Sequence, residues 1–364
     1  MLRSPSEKPG PKEAQPEERS MRAMVVRRYG PPEVFEWQEK PDPQLKPGEI
    51  LIRVKAVGIN FADLLQRMGI YPGTPKPPFV PGLEIAGVVE RAVAGGKPGE
   101  GDSLRPGDAV AAFSPFNAYA EWAAVSAAQA YRLPAGMSFE DAAAIPVNYL
   151  TAYHSMFAMG NLQKGDRILI HGAAGGVGIA AVQLARAREL VTYGTAGPTK
   201  QDFLRKIGVD HPIDYTKTHF LEAVRKSAPD GIEMVMDAIG GKSFAESEKC
   251  LGPTGRLVVY GVSSIAGPEG KRSLFRALKM ILQTPKFHPM RLMSENHAVI
   301  GVHLGRMQNR SALLRRELTE LFHMYGAGQI KPVIGKTFPL AEAAAAHRYI
   351  HDRKNIGKVV LTVK

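Results

Sequence analysis

The chain has 364 residues, 44% of them hydrophobic and 23% charged, with 47 Lys and Arg against 35 Asp and Glu for a formal net charge of +12 at pH 7. That length exceeds what one compact core accommodates and predicts two domains. No stretch approaches the ~18 uninterrupted apolar residues of a membrane-spanning helix, and the single cysteine, Cys250, excludes a disulfide framework and any zinc centre built from several thiolates.

Residues 1–20, MLRSPSEKPGPKEAQPEERS, hold almost nothing that could be buried and are expected to be a disordered tail. Their four Glu residues argue against a transit peptide. From Met21 onward, short β-type runs alternate with Pro/Gly turns: MRAMVVRRYG, EILIRVKAVGIN, LEIAGVVERAV, DAVAAF and AYAEWAAV. They predict a small, mostly antiparallel β domain. One helix interrupts them at NFADLLQRMG, with Asn60 as N-cap and Leu64, Leu65 and Met68 facing inward. A second helical stretch opens at SFEDAAAI, where Ser138 and Asp141 resemble a capping box, and runs on through PVNYLTAYHSMFAMG as the connection between domains.

Beyond residue 160, strands alternate with helices: RILIHG and its helix, LVTYGT then KQDFLRKIG, HPIDY then FLEAVRKSA, IEMVMDAIGG then KSFAESEKCL, RLVVYGV, and HAVIGVHL. Such alternation predicts a parallel, doubly wound sheet. A helix at RSALLRRELTELFHMYGAG and a last strand at KVVLTVK close the chain and are assigned to the first domain.

The first strand of the parallel unit runs into AAGGVG and then into a helix, the position of a dinucleotide fingerprint. Ala173, Gly175 and Gly178 stand at its three small-residue positions: tight turn, close approach to a pyrophosphate, and close helix packing. The helix N-terminus beyond Gly175 favours an anion through free N–H groups and its dipole. About 20 residues on, an NAD site shows an acid gripping the ribose 2′-hydroxyl. Here the stretch reads YGTAGPTK, with Thr195, Gly197 and Lys200 and no acid, which favours a 2′-phosphate and hence NADPH.

These residues carry a family likeness. GDRILIHGAAGGVGIAAVQLAR, together with GINFADLLQRMGIYP, VPGLEIAGVVE, NYLTAY, HPIDY, MDAIGG, GVHLG and KNIGKVVL, resembles the quinone oxidoreductase (zeta-crystallin-like) branch of the medium-chain dehydrogenases/reductases. Within it the chain resembles the vesicle amine transport protein homologues most. The resemblance implies an α/β chain with a GroES-like, mostly β catalytic domain at 21–146 and 303–364. A Rossmann NADPH-binding domain at 147–302 would be inserted into it, and the assembly would be a homodimer. It also implies pyrophosphate contacts at Ala174, Gly175, Gly176 and Val177, with Gly178 completing the cofactor fingerprint, and a 2′-phosphate site at Gly197, Lys200 and Tyr215. Gly240, Tyr260, Gly261, Val262, Val302 and Thr151 would line the rest of the cofactor cleft, with Asn60 and Tyr71 beside the nicotinamide. By the same likeness Tyr71 donates a hydrogen bond or proton to the acceptor; taken alone, it could equally be loop packing against proline.

Zinc enzymes of this fold carry Gly-His-Glu where the chain has Gly82, Leu83 and Glu84, and a cysteine near Asn60. Leu83 cannot ligate a metal, so no metal residue is expected. Without a Lewis acid, hydride transfer suits an acceptor already polarised: a quinone or an α,β-unsaturated carbonyl. The alternative is an NADPH-binding protein whose main partner is another macromolecule, RNA or a membrane surface, with little redox activity. Nucleic acid is disfavoured, because Lys and Arg are spread along the chain without an RNA-binding motif. The lone cysteine fits the cytoplasm.

One segment departs from a compact connection: KRSLFRALKMILQTPKFHPMRLM, residues 271–293, with Lys271, Arg272, Arg276, Lys279, Lys286 and Arg291 and no acid. Leu274, Phe275, Leu278, Ile281 and Leu282 predict a helix with one apolar stripe, ended by Pro285 and Pro289. The stripe either packs on the protein's own surface or across a dimer, or it serves as a substrate lid or a contact with anionic lipid.

Overall fold

The computed structural model describes residues 20–95, 104–267 and 274–364. Apart from Ser20, the tail expected to be disordered lies outside the described residues, as do Lys271, Arg272 and the side chain of Leu274.

The β-rich part opens with β1 (Ser20–Val26) and β2 (Phe35–Pro41), an antiparallel pair. It continues through β3 (Glu49–Ile59), α1 (Phe61–Met68), β4 (Glu84–Ala92), β5 (Ala109–Phe113), β6 (Trp122–Ser126) and β7 (Ala130–Arg132). In β3, Ile52 and Val54 are buried while Arg53 between them faces out, a period-two alternation confined to the middle of the strand, since Leu51 and the run Ala56–Ile59 are buried too. A helical connection follows, from α2 (Phe139–Ala142), capped by the Ser138 hydroxyl accepting from Asp141 N–H at 3.1 Å, through α3 (Leu150–Tyr153) to wider π-helical turns at residues 154–159.

The second sheet alternates strand and helix: β8 (Arg167–Ile170), α4 (Gly176–Ala187), β9 (Val191–Ala196), α5 (Gln201–Lys206), β10 (His211–Asp214), α6 (Phe220–Ser227), β11 (Ile232–Asp237), α7 (Lys242–Glu248) and β12 (Leu251–Val259). A two-helix excursion, α8 (Leu274–Gln283) and α9 (Pro289–Glu295), precedes β13 (Ala298–Gly301). The strand order β10-β9-β8-β11-β12-β13, all parallel, is doubly wound, with its reversal point between β8 and β11. Its central strands are buried on both faces, which is why ILI (168–170) and MVM (234–236) read as unbroken apolar runs.

After α10 (Ser311–Gly326) the chain returns to the first sheet through β14 (Ile334–Pro339), α11 (Ala343–His351) and β15 (Lys358–Thr362), giving the order β14-β15-β3-β4-β5-β7. β14 and β15 run parallel to each other and the other neighbours antiparallel. α10 spans the two halves: Leu314, Leu318 and Leu321 join the core around Ile168 and Met234, while Arg315 donates to the carbonyl of Ala128 at 3.2 Å.

Candidate functional site

β8 carries the chain to the carboxyl edge of the parallel sheet, where Gly172 turns at φ +65° before α4 opens with Gly175 as N-cap. A Cβ on Gly178 would lie 2.3 Å from the Gly172 carbonyl oxygen, so only glycine lets helix and turn press together. The left-handed step falls on Gly172, one residue before Ala173, which corrects the assignment of the tight turn to Ala173. Ala173 itself is buried and bonds the Thr195 carbonyl at 2.9 Å. The N–H groups of Gly176, Val177 and Gly178 start the helix and have no carbonyl a turn behind them, leaving a seat for an anion. From the other sheet, Gly357 N–H bonds the Ala174 carbonyl at 2.9 Å, tying the start of β15 to this turn.

Thr195 is only 2% exposed, and its hydroxyl accepts from Gly172 N–H at 3.2 Å and lies 3.2 Å from His171 Nδ1. The phosphate-holding role expected of Thr195 is therefore corrected to support of the turn. Below it, Asp237 accepts from Ser243 at 2.7 Å, Ser247 at 2.8 Å and Ile239 N–H at 2.7 Å, shaping the loop after β11. Burial holds His171 in this network below its usual pKa.

Gly197, Lys200 and Tyr215 do come together at the end of β9. The exposed Tyr215 hydroxyl stands 3.5 Å from where a Gly197 Cβ would be, and Lys200 Nζ donates to the Asn355 carbonyl at 2.6 Å. Partial burial, and secondly the Arg353 guanidinium, lower the Lys200 pKa. Arg353 thus supplies a second cation beside Lys200. Nothing local in the sequence links positions 200 and 353, which meet only because the chain end folds back over the turn.

Along the sheet's carboxyl edge, Gly240 at φ +88° lies under Val262, where a Cβ would come within 3.2 Å of Val262 Cα, and Gly261 approaches Ala238 as closely. Val302 N–H bonds the Val259 carbonyl at 3.0 Å, so Gly240, Tyr260–Val262 and Val302 form one wall. Burial raises the Tyr260 pKa. Thr151 is buried on α3, which packs against α4.

Asn60 stands at the start of α1, where its backbone N–H donates to Asp63 at 2.8 Å. Its amide is fully used: Nδ2 donates to Glu84 at 2.7 Å and to the Gly58 carbonyl at 3.3 Å, while Oδ1 accepts from Asn148 at 2.9 Å and Lys358 at 2.7 Å. A buried Glu84–Lys358 ion pair completes this network, and Glu84 also accepts from Val147 N–H at 2.7 Å. The direct contact expected of Asn60 with nicotinamide or substrate is corrected accordingly: with both donors and both lone pairs filled, it acts as a positioning hub. Burial pushes the neighbouring Asp63 carboxyl up to about 7.

Tyr71 lies on the loop after α1 and stacks on His303, ring centroids 5.5 Å apart at 26°. The structure thereby brings it to the chain one residue past Val302. Burial, and secondly the Asp63 carboxylate, raise its pKa to about 12, so its hydroxyl stays protonated and able to donate at neutral pH. At the position of a zinc-ligating histidine, Leu83 is buried in the core. Among the described residues, Glu248, Glu295 and His297 converge at metal-ligand spacing, but Arg291 already holds Glu248 at 2.5 Å.

The chain matches the family model described as alcohol dehydrogenase GroES-like domain at residues 46–146 and that described as zinc-binding dehydrogenase at residues 207–361. It is 40% identical over 346 residues to the synaptic vesicle membrane protein VAT-1 homolog of Rattus norvegicus, covering 94% of this chain and 84% of that protein. It is 30% identical over 354 residues to the quinone oxidoreductase of Rattus norvegicus, covering 94% and 97%. Among solved structures, the human VAT-1 homolog-like protein superposes with a TM-score of 0.81 at 32% identity, covering 95% of this chain and 98% of the other. By this sequence likeness and the doubly wound sheet beside a GroES-like one, the chain belongs to the medium-chain dehydrogenase/reductase superfamily, in its quinone oxidoreductase branch alongside the VAT-1 homologues.

Proposed function

We propose that the chain is an NADPH-dependent reductase that works without zinc and passes hydride to quinones or α,β-unsaturated carbonyl compounds. The observation that carries the reading is the anion seat at α4 beside Lys200, Arg353 and Tyr215, with no acid at the end of β9. The cleft residues fit the group: Gly178 admits close helix packing where a Cβ would clash at 2.3 Å, and the start of α4 offers donors for a pyrophosphate. When bound, the dinucleotide supplies the hydride.

The protein's own share is positioning and charge. Lys200 and Arg353 hold a 2′-phosphate, and the wall from Gly240 to Val302 orients the ring. The Tyr71 hydroxyl donates to the acceptor oxygen as electrons arrive there, and water delivers the proton that completes the reduction. Zinc independence rests on Leu83, which has no donor atom, and on Glu84, whose carboxylate is consumed by Lys358, Asn60 and Val147. The solved quinone oxidoreductase of Thermus thermophilus, 34% identical, is described with its NADPH complex, which supports the cofactor choice.

The test is NADPH oxidation against a panel of ortho- and para-quinones, enones and enoyl thioesters, with elemental analysis of the same preparation. Turnover without stoichiometric zinc, unaffected by chelators, is expected. One tightly held zinc per chain that activity requires would overturn the metal-free reading.

A second reading, peripheral contact with anionic membrane, is favoured by the α8–α9 excursion. Phe275 is 75% exposed, Leu282 75% and Met293 65%, close to Lys279 and Lys286. That relatives of the chain are synaptic vesicle membrane proteins by name supports it. No helix among the described residues is long and apolar enough to cross a membrane. We also read the protein as cytoplasmic, on its single cysteine, and as a homodimer, since β13 is an edge strand of the parallel sheet with an unpaired side among the described residues.

A further inference from the structure

Two donor groups flank Tyr71 that hydride transfer does not itself require. Its ring lies on the His303 imidazole, and its hydroxyl oxygen is 3.1 Å from where a Cβ on Gly305 would stand. The Arg306 guanidinium also acts on the phenol, opposing the upward push of burial. His303 and Arg306 are both exposed, and among the described residues neither side chain has a hydrogen-bond or ion-pair partner. Among the described residues some surface arginines are matched, as Arg27 is by Glu36 at 2.9 Å and Arg167 by Glu233 at 2.7 Å, and others such as Arg53 and Arg316 are not; what sets Arg306 apart is its place beside the Tyr71 phenol. The carboxylate that acts on Tyr71, Asp63, is buried and bonded inward to Asn60 N–H and the Tyr119 hydroxyl. Among the described residues, the turn beside the phenol therefore presents N–H donors that no acid matches.

Resting on the reading of Tyr71 as the acceptor-facing residue, we infer that the turn at residues 303–306 is an oxyanion subsite and that the acceptor carries a carboxylate or phosphate monoester beyond its reacting carbonyl. A planar guanidinium suits either group, gripping two oxygens at once, and the imidazole edge adds a further donor. Arg306 is then a specificity-determining residue.

The experiment compares three enones of equal chain length with NADPH-loaded protein: one ending in a carboxylate, its methyl ester, and the corresponding phosphate monoester. The carboxylate should exceed the ester in kcat/KM by about tenfold or more, the difference residing in KM, as a charge-assisted contact requires. Arg306→Gln should pull that ratio toward one, and salt should shrink it. A phosphate ester preferred over the carboxylate would identify phosphate as the natural group. Turnover of all three with ratios near one, or a ratio that Arg306→Gln leaves unmoved, overturns the subsite while the reduction stands. No turnover of any overturns the reduction instead. In that case saturation-transfer NMR with the carboxylate decides the subsite alone: binding lost in Arg306→Gln supports it, and binding absent or indifferent to the substitution overturns it.

Discussion

Lys200 shows how one side chain changes meaning once its neighbours are known. Read alone it could be a solvated helix-face lysine, the commoner fate of lysines. In the fold it is half-buried, tied to the Asn355 carbonyl at 2.6 Å, and shares its surroundings with Arg353. Two cations kept close together are costly without an anion to answer them. Lys200→Ala should therefore weaken NADPH binding roughly tenfold or more while sparing NADH, and Arg353→Ala should act alike. Fluorescence titration of both cofactors checks this, and equal affinities for the two in the unaltered protein would sink the 2′-phosphate site. Tyr71 invites a kinetic test: Tyr71→Phe keeps the ring stacked on His303 and removes only the donor. It should lower kcat on an enone about tenfold or more with NADPH affinity unchanged, whereas unchanged turnover would return Tyr71 to loop packing.

At the scale of elements, what matters is how strands from two sheets are stitched together. Asn60 at the β3–α1 junction, Glu84 at the start of β4, Asn148 in the connecting helix and Lys358 at the start of β15 meet in a buried network. Its central ion pair is out of water, so removing one partner leaves an uncompensated charge. Lys358→Met should cost about 3–5 kcal/mol of stability, and Glu84→Gln in the same protein should restore much of it. Denaturant unfolding of the two single variants and the double checks this; additive losses would mean the pair is not coupled. The same helix-level view explains α8, whose stripe is legible as a 3.6-residue period but whose destination is not. Packing against the protein's own surface is not what the fold shows, since Phe275, Leu278, Ile281 and Leu282 remain exposed.

For the whole molecule, that exposed excursion lies next in sequence to β13, an edge strand of the parallel sheet. If the basic, apolar face of α8 meets anionic lipid, the protein should sediment with phosphatidylserine vesicles at low salt and be released at high salt. Lys279→Glu should weaken binding several-fold, as about 1 kcal/mol per surface cation implies. Absence of co-sedimentation at low salt would leave a second copy of the chain or a substrate as what covers the stripe.

Much of the architecture was determined by sequence alone, because its signals are local. The switch from period-two runs to alternating strand and helix near residue 160, the glycine turn between an apolar strand and a helix, and the missing acid after YGT each depend on a few adjacent residues. What only the tertiary structure decided depends on contacts between distant parts of the chain. Arg353 beside Lys200, Gly357 bonded to Ala174, and Lys358 filling the Asn60 amide all arise because the last residues return to the first sheet across the glycine turn. Local pattern also cannot tell an outward hydroxyl from an inward one. By sequence Thr195 is available for phosphate, but strand alternation turns its side chain into the turn, toward Gly172 N–H and His171, where an unpaired buried donor would otherwise be costly.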